Sequence, residues 1–483
     1  VGVARRVLRR RLDVPGEALL ALAAADPDRY PVLFDSASSG PMAQRSVLVA
    51  ANGESLALDR FGQLWRDGHR EPGGFLDALE SWWQRVSDRD RRSPSPSDAP
   101  DPVGWHGGFA VFLGYELASE IEASLRLPSC NEPWRAWALR TPAALVHELE
   151  TGTVWACAER GAESWLDRLE VDATRAMARP VAERAASLPQ WRVIEEDPAR
   201  FLRGVQRTLQ HIAAGDVYQL NLSRGWRAAL PPGVPPQDCL AVLYGALRSA
   251  NPAPFAALAR WGGLAILSSS PERLLRIEAG IASTRPIAGT RPRGQSAERD
   301  AALAAELRAN AKERAEHVML IDLERNDLGR VCVAGSVEVR EFMAIESYAH
   351  VHHIVSEVAG RVRGDVSPVR VLAAMFPGGT ITGCPKLRCM QLIGAIETEG
   401  RGAYTGSVGQ LGLDGSADFS ILIRTLTAHN GELHWRAGAG IVADSVPERE
   451  LEETRAKARG LLHAVEQAAA PAPGRRPGGE AVA

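Results

Sequence analysis

The stretch from residue 376 to 390, FPGGTITGCPKLRCM, constrains the folding of this 483-residue chain more than any other. Adjacent Gly378 and Gly379 are followed by Thr380, Ile381, Thr382 and Gly383, then by Pro385, Lys386 and Arg388. Glycines let a backbone adopt positive φ and approach a neighbour closely, and a proline opens a helix well. The run predicts a loop that delivers its backbone to a helix start, where unpaired N–H groups favour an anion such as a carboxylate or phosphate. A tight turn leading into a capped helix with no ligand has the same spelling, so the rest of the chain must decide.

A chain this long exceeds one compact core, which predicts two domains or one large composite. Its 45% hydrophobic and 24% charged residues are ordinary for a globular protein. A formal charge of -3 gives no electrostatic case for nucleic acid or an anionic membrane, which leaves small molecules and protein partners. The six cysteines are scattered, and the closest pair, Cys384 and Cys389, lacks the Cys-x-x-Cys spacing. They read as reduced thiols of a cytoplasmic protein. Arg5, Arg6, Arg9, Arg10 and Arg11 precede an apolar patch at 18–25 that is too short for a signal peptide, and no run of about 18 apolar residues predicts a membrane span.

Along the chain, strands are predicted within 30–51 and at 107–114, 143–148 and 155–158, with helices at 74–86 and 162–178. The segment 88–102, DRDRRSPSPSDAPDP, reads as a solvated loop, and 188–196 as a linker. The regions are then 1–187, 188–468 and a low-complexity, disordered tail at 469–483. The second region starts with Asp197 capping a helix that has Pro198 at its first position. In the strand that follows, 217–226, apolar Tyr218, Leu220 and Leu222 alternate with Gln219, Asn221 and Ser223, as in a half-exposed sheet. Pro271 interrupts the strand pattern at 264–277, which implies a bulge or edge. Glu272 thereby becomes a candidate general acid or base, or else a surface carboxylate paired with Arg273. In the turn PIAGT, the Gly289 N–H and Thr290 hydroxyl suit a substrate oxygen.

Carboxylates carry a sharper signal. Glu313 and Glu316 share one face of a helix predicted over 311–326, and Glu450 and Glu453 share one face of a C-terminal helix opened by the capping-box pattern Ser445–Glu448. Lys457 continues the second stripe. Like charges at this spacing repel unless a cation lies between them, and four facing carboxylates would offer the hard oxygen ligands that suit Mg²⁺. A single such pair also describes a solvated helix face.

PIAGTRPRG (286–294), AEHVMLIDLERNDLGRV (315–331), FPGGTITGCPKLRCM, IRTLT (423–427) and GAGIVADSVPERELEETRAKA (438–458) together resemble the chorismate-utilising enzymes, in order, over about 198–464. The resemblance implies an α+β fold of the anthranilate-synthase-component-I type, with two large, mainly antiparallel sheets packed together, helices outside and the active site between them. It implies Mg²⁺ held by Glu316 and Glu453, with Glu313 and Glu450 acting through water. Substrate contacts would come from Gln219, Gly289, Thr290, Tyr404, Arg424, Gly438, Ala439, Gly440 and Lys457, with Glu272 as proton donor and acceptor and His353 near the leaving hydroxyl. Chorismate is a dicarboxylate, which accords with one metal-bound and one Arg/Lys-bound carboxylate.

Water-using members of the family have a lysine where this chain has Gln219, so ammonia is the implied nucleophile. No glutaminase nucleophile elbow occurs around any cysteine, which implies a separate amidotransferase subunit. The pattern YQLNL (218–222) resembles the aminodeoxychorismate synthase members, whereas Ala288 stands where some of those have a ring-attacking lysine and where anthranilate synthases have alanine. The expected reaction is C4 amination for 4-aminobenzoate and folate synthesis, the alternative is anthranilate synthesis, and a different class is a non-catalytic chorismate or tryptophan sensor. Asp35 and Ser36, with Pro254, Phe255 and Ala256, resemble the family's tryptophan-binding segments, and Arg45 is the nearest candidate for the tryptophan carboxylate.

Overall fold

The computed structural model describes residues 7–38, 42, 44–91, 103–178, 188–348 and 351–469. Two antiparallel sheets of twelve strands each form the frame. The first runs Val7–Leu12, Val154–Glu159, Ala143–Glu148, Arg45–Ala50, Val32–Asp35, Phe255–Trp261, Leu264–Ser270, Thr425–His429, Glu432–Ile441, Gln219–Ala229 and Ile194–Glu195, with Gly383–Cys384 added beside Gln219–Ala229. The second runs Ile287–Pro292, Val351–Arg361, Ile281–Thr284, Arg273–Glu278, Ala417–Ile421, Ser407–Leu411, Phe109–Leu113, Trp134–Arg140, Ser55–Asp59, Leu64–Arg66 and His69–Glu71, with Glu338–Ser347 beside Val351–Arg361. Each sheet takes strands from both the 1–187 and the 188–468 regions, so a single frame spans them.

Between the sheets, Val32, Val47 and Val49 of the first meet Ala110, Phe112 and Trp137 of the second in one apolar cluster. Helices cover the outer faces, as helix Pro447–Ala469 does through Ala458, Leu461 and Val465 against Leu433 and Trp435. This is the expected α+β arrangement. The run at 18–25, treated only as too short for a signal peptide, is the buried helix Glu17–Ala25, in which Ala18, Leu19, Leu22 and Ala23 pack into the same cluster. Asp197 caps helix Pro198–Ala213 as its sequence predicts, accepting from Ala199 N at 3.0 Å. The predicted loop 88–102 lies mostly outside the described residues, although helix Phe75–Arg91 extends into it. From residue 470 onward the tail is outside them as well, and Ala469 ends the last helix.

Three local expectations are corrected. Strand Gln219–Ala229 is buried on both faces through Arg224, while Tyr218 is 73% exposed just before it. Its polar face is covered because the chain from Glu397 to Arg401 folds over it: Ser223 N and Oγ donate to Glu397 Oε1 at 2.8 and 3.0 Å. The Ser445 hydroxyl accepts from Val442 N at 3.0 Å instead of capping at Glu448, since helix Pro447–Ala469 begins two residues after it. The glycine loop holds no free anion site of the kind its spelling suggests. The Gly379 N–H faces the buried carboxylate of Glu324, and a Cβ on Gly379 would stand 3.2 Å from Glu324 Oε1. Lys386, at the start of helix Lys386–Ile396, turns inward to Asp327 and to Pro377 O, the latter at 2.8 Å. The chain's own carboxylates thus occupy the place of the expected ligand.

Candidate active site

The site forms where the backbone passes from one sheet to the other. Strand Leu264–Ser270 belongs to the first sheet and Arg273–Glu278 to the second, so Pro271 and Glu272 make the crossing. A second crossing, between Ala417–Ile421 and Thr425–His429, carries Arg424 at φ 51°. Ile421 N donates to Glu272 O at 3.0 Å and Ser269 N to Arg424 O at 3.1 Å, which ties the crossings together. Glu272 is 5% exposed with no hydrogen-bond partner at Oε1, and the alternative of a surface pair fails because Arg273 forks onto Asp418 at 2.9 and 3.0 Å.

Burial pushes the Glu272 carboxyl up to about 7, against the opposing pull of the Thr380 hydroxyl, the Ile287 amide, Arg424 and Lys457. A carboxyl poised there can give and take a proton near neutrality. Burial also lowers the pKa of Arg424, against the pull of Glu272, and the described residues give its guanidinium no ion pair. It is a cation available to a carboxylate ligand.

On the second sheet, strand Ile287–Pro292 shifts register against Val351–Arg361 between Ala288 and Thr290, so Gly289 is a bulge at φ 68°. A Cβ there would stand 2.9 Å from both Glu313 Oε2 and Leu307 Cδ1, a space only glycine leaves. His353 Nδ1 lies 3.0 Å from Thr290 Oγ1 and 3.3 Å from Gly289 O, while its buried Nε2 has no partner. Burial and Arg424 push this imidazole down to about 4, so it is neutral, with Nδ1–H on the bulge and an Nε2 lone pair left over.

The first sheet supplies Gly438, Ala439 and Gly440 on strand Glu432–Ile441, paired with Ser223, Leu222 and Asn221. Lys457 Nζ donates to Gly438 O at 3.0 Å and pairs with Glu453 at 2.7 Å. A Cβ on Gly438 would meet Asn221 Oδ1 at 2.6 Å and the Tyr404 hydroxyl at 2.7 Å, and one on Gly440 would meet Gln219 Nε2 at 2.4 Å.

Glu313 and Glu316 lie on helix Ala311–Gly329, and Glu450 and Glu453 on Pro447–Ala469. Burial raises the Glu316 pKa against the pull of Lys312, and the fields of Glu313, Asp444 and Glu453 add to the rise. Burial and Glu453 raise Glu450, against Ser445. The two helices therefore bring their carboxylates into each other's field, with Lys312 bridging to Asp444 at 3.1 Å. Among the described residues no three such groups close into a preformed cage, and Glu313 is 3.3 Å from Arg291. All the same, mutually destabilised carboxylate oxygens are the donor chemistry a hard divalent cation satisfies.

The five residues read as a tryptophan site, Ser36, Arg45, Pro254, Phe255 and Ala256, line one cavity of about 690 Å³ between the sheets. Two of its polar groups are already engaged: Ser36 Oγ donates to Pro254 O at 3.1 Å, and Arg45 donates to Val103 O.

Several residues around the site escape the sequence reading. Buried Glu116 accepts from Arg401 N at 2.6 Å and Gly402 N at 3.1 Å, and Glu132 from Ala403 N at 2.9 Å, fixing the turn that presents Tyr404. Burial would raise Glu397, but the Arg401 and Arg436 guanidiniums hold it below the ordinary carboxylate range. The i, i+4 spacing of Glu397 and Arg401, paired at 2.7 Å, was the only available signal, because Glu116 lies in the single 3-10 turn Tyr115–Leu117 and Glu132 in an irregular segment of the first region.

Residues 45–463 match the model of the chorismate binding enzyme family. Anthranilate synthase component 1 1 of Haloarcula marismortui is 38% identical over 87% of this chain and 88% of that protein. Aminodeoxychorismate synthase component 1 of Bacillus subtilis is 39% identical over 82% and 83%. Among solved structures, anthranilate synthase component I from Streptococcus pneumoniae superposes with a TM-score of 0.74 at 29% identity, covering 88% of this chain and 93% of that one. The menaquinone-specific isochorismate synthase MenF from Escherichia coli shares the fold at a TM-score of 0.67 and 18% identity, over 96% and 95%. With the shared frame, the crossing that carries Glu272 and a family match over most of its length, this chain belongs to the chorismate-binding enzymes.

Proposed function

We propose that the protein aminates chorismate at C4, giving 4-amino-4-deoxychorismate for 4-aminobenzoate and folate synthesis, with ammonia delivered by a separate glutamine amidotransferase subunit. The observation that carries an amination reading is the buried Glu272, poised near pH 7, beside Arg424, a cation without an ion pair among the described residues. Arg424 and Lys457 hold a substrate carboxylate, with the Tyr404 hydroxyl next to Gly438. Glu316 and Glu453, supported by Glu313 and Glu450, would hold Mg²⁺, which when bound neutralises and orients the ring carboxylate.

Protonated Glu272 gives its proton to the departing C4 hydroxyl, which leaves as water while the ammonia lone pair forms the C–N bond. The resulting ammonium returns one proton to the Glu272 carboxylate, which restores the starting state. His353, neutral and oriented by the Gly289 bulge, accepts a hydrogen bond from the hydroxyl through Nε2. Asn221, within YQLNL, supports C4 amination, and the similarity to the Bacillus subtilis protein is consistent with it.

A second reading is anthranilate synthesis, favoured by Ala288 and by the similarity to the Haloarcula marismortui protein. Chorismate, ammonium and Mg²⁺ incubated with the protein, with and without a 4-amino-4-deoxychorismate lyase, separate the two. Fluorescent anthranilate formed without lyase refutes C4 amination, and 4-aminobenzoate formed only with lyase supports it. An absence of magnesium-dependent turnover would leave the sensor class standing.

A further inference from the structure

We infer that Ser347, His352 and Asp300 form a separate esterolytic site, in which the exposed Ser347 hydroxyl attacks small, unhindered carboxylic esters. It stands apart from the amination reading, because it uses none of the residues proposed to hold chorismate. The contacts are short. Ser347 Oγ lies 2.7 Å from His352 Nδ1, and His352 Nε2 lies 2.9 Å from Asp300 Oδ1. Arg293 in turn forks onto Asp300 at 2.8 Å through both Nε and Nη2. A nucleophile within hydrogen-bond reach of a base, itself oriented by a third group, is the arrangement that acyl transfer requires.

The fold builds these contacts on the face of the second sheet opposite His353, because neighbouring residues on strand Val351–Arg361 point to opposite faces. Tyr348 N donates to Val351 O at 2.8 Å, which makes Ser347 and His352 the next, non-hydrogen-bonded pair, where facing side chains stand closest. Helix Ala297–Ala309 lies over this face. Its Leu307 packs with Met343 and Ile354, and Asp300, about two turns earlier, meets His352. The carboxylate is held there by Gly294 N as well, at 2.7 Å. His352 is 2% exposed, whereas Ser347, the last residue of strand Glu338–Ser347, is open to solvent.

Charge fixes the role of each group. Arg293 and the Gly294 amide hold Asp300 well below the ordinary carboxylate range, so Asp300 only accepts and His352 Nε2 carries the hydrogen. Nδ1 is left with a lone pair towards the Ser347 hydroxyl, which is the tautomer of a general base. The Ser347 N–H points away from Val351–Arg361, to an edge with which no other described strand pairs, where it can donate to an oxyanion. In the first step Ser347 Oγ bonds to the ester carbonyl carbon while its proton passes to His352 Nδ1. The bond to the leaving alcohol then breaks, the alcohol oxygen takes that proton, and an acyl ester remains on Ser347. Water repeats the sequence: it adds to the acyl carbon and gives a proton to Nδ1, and Ser347 Oγ leaves and recovers it.

A fluorophosphonate probe and 4-nitrophenyl acetate test the site. The folded protein should gain a single probe adduct, mapped to Ser347 by peptide mass spectrometry, and should release 4-nitrophenol faster than the urea-unfolded chain. Ser347→Ala should lose the adduct and the excess hydrolysis with chorismate turnover unchanged. His352→Gln, which cannot take the proton, should slow both reactions about 10²-fold. If that buried variant does not fold, Ser347→Ala, at an exposed position, keeps the test decisive. No adduct at Ser347, equal labelling of the unfolded chain, or an unchanged rate in folded His352→Gln overturns the inference. Neither readout uses chorismate, so this failure and a failure of the amination reading are told apart.

Discussion

Replacing Glu272 with glutamine tests both the chemistry and the electrostatics of the site. The folded pKa of Glu272 is raised to about 7 from an ordinary 4.5, so its contribution to stability is fully present below about pH 4.5 and is lost as pH rises through 7. A shift of this size costs about 3 kcal/mol once the carboxyl is ionised, at 1.36 kcal/mol per pH unit. Between pH 5 and pH 8.5 the usable part is about 2.5 kcal/mol, because some ionisation of the unfolded chain is already present at pH 5. Glu272→Gln is neutral throughout and keeps the shape, so relative to wild type it should gain about that much stability over this interval. Urea unfolding of both proteins at the two pH values reads this directly, since other titrating groups cancel in the difference. The same variant should lose about 10²–10⁴-fold in turnover, as expected when a general acid is removed, and wild-type kcat/KM should fall as pH rises through about 7. A wild-type-minus-variant stability difference that is flat with pH would refute the placement of Glu272 as a buried, poised acid, and full activity in the variant would refute its role.

Glu453→Gln should lower activity by about 10²-fold and weaken magnesium dependence, while stability changes by no more than about 0.5 kcal/mol because the side chain is 46% exposed; full activity would make the acidic stripe a solvated face. With Ala288 on strand Ile287–Pro292, chorismate added without ammonia should leave no covalent adduct on any lysine by intact-protein mass spectrometry, and Ala288→Lys should be tolerated. Added tryptophan should change the rate little, and Ser36→Ala should cost about 1 kcal/mol of stability through its bond to Pro254 O with little kinetic effect; strong tryptophan inhibition relieved by Ser36→Ala would favour anthranilate synthesis.

Local and periodic features were legible in the chain alone. Asp197 with Pro198 spells a helix start that the backbone adopts, and the stripes Glu313–Glu316 and Glu450–Glu453 were readable because a helix turn places such residues on one face. The run at 143–148 is a strand with the bounds its composition predicts. The five family motifs, read in order, led to the chorismate-binding enzymes and to the α+β frame.

What the sequence could not determine was the meeting of distant segments, because burial and long-range pairing are properties of the packed chain. Alternation made the polar side of Gln219, Asn221 and Ser223 look solvent-facing, and only the cover of Glu397 and Arg401 makes it a buried floor. The glycine loop spelled an anion site, but the third dimension puts Glu324 and Asp327 there. Glu116, in the single 3-10 turn Tyr115–Leu117, and Glu132, in an irregular segment, have no period to betray them, and they matter because folding brings them under the turn that carries Tyr404. The sequence by itself determined the elements, the family and the residue types of the site. Tertiary structure alone decided which polar groups lose water, because that depends on neighbours hundreds of residues away, and with it which carboxylates are poised to move a proton.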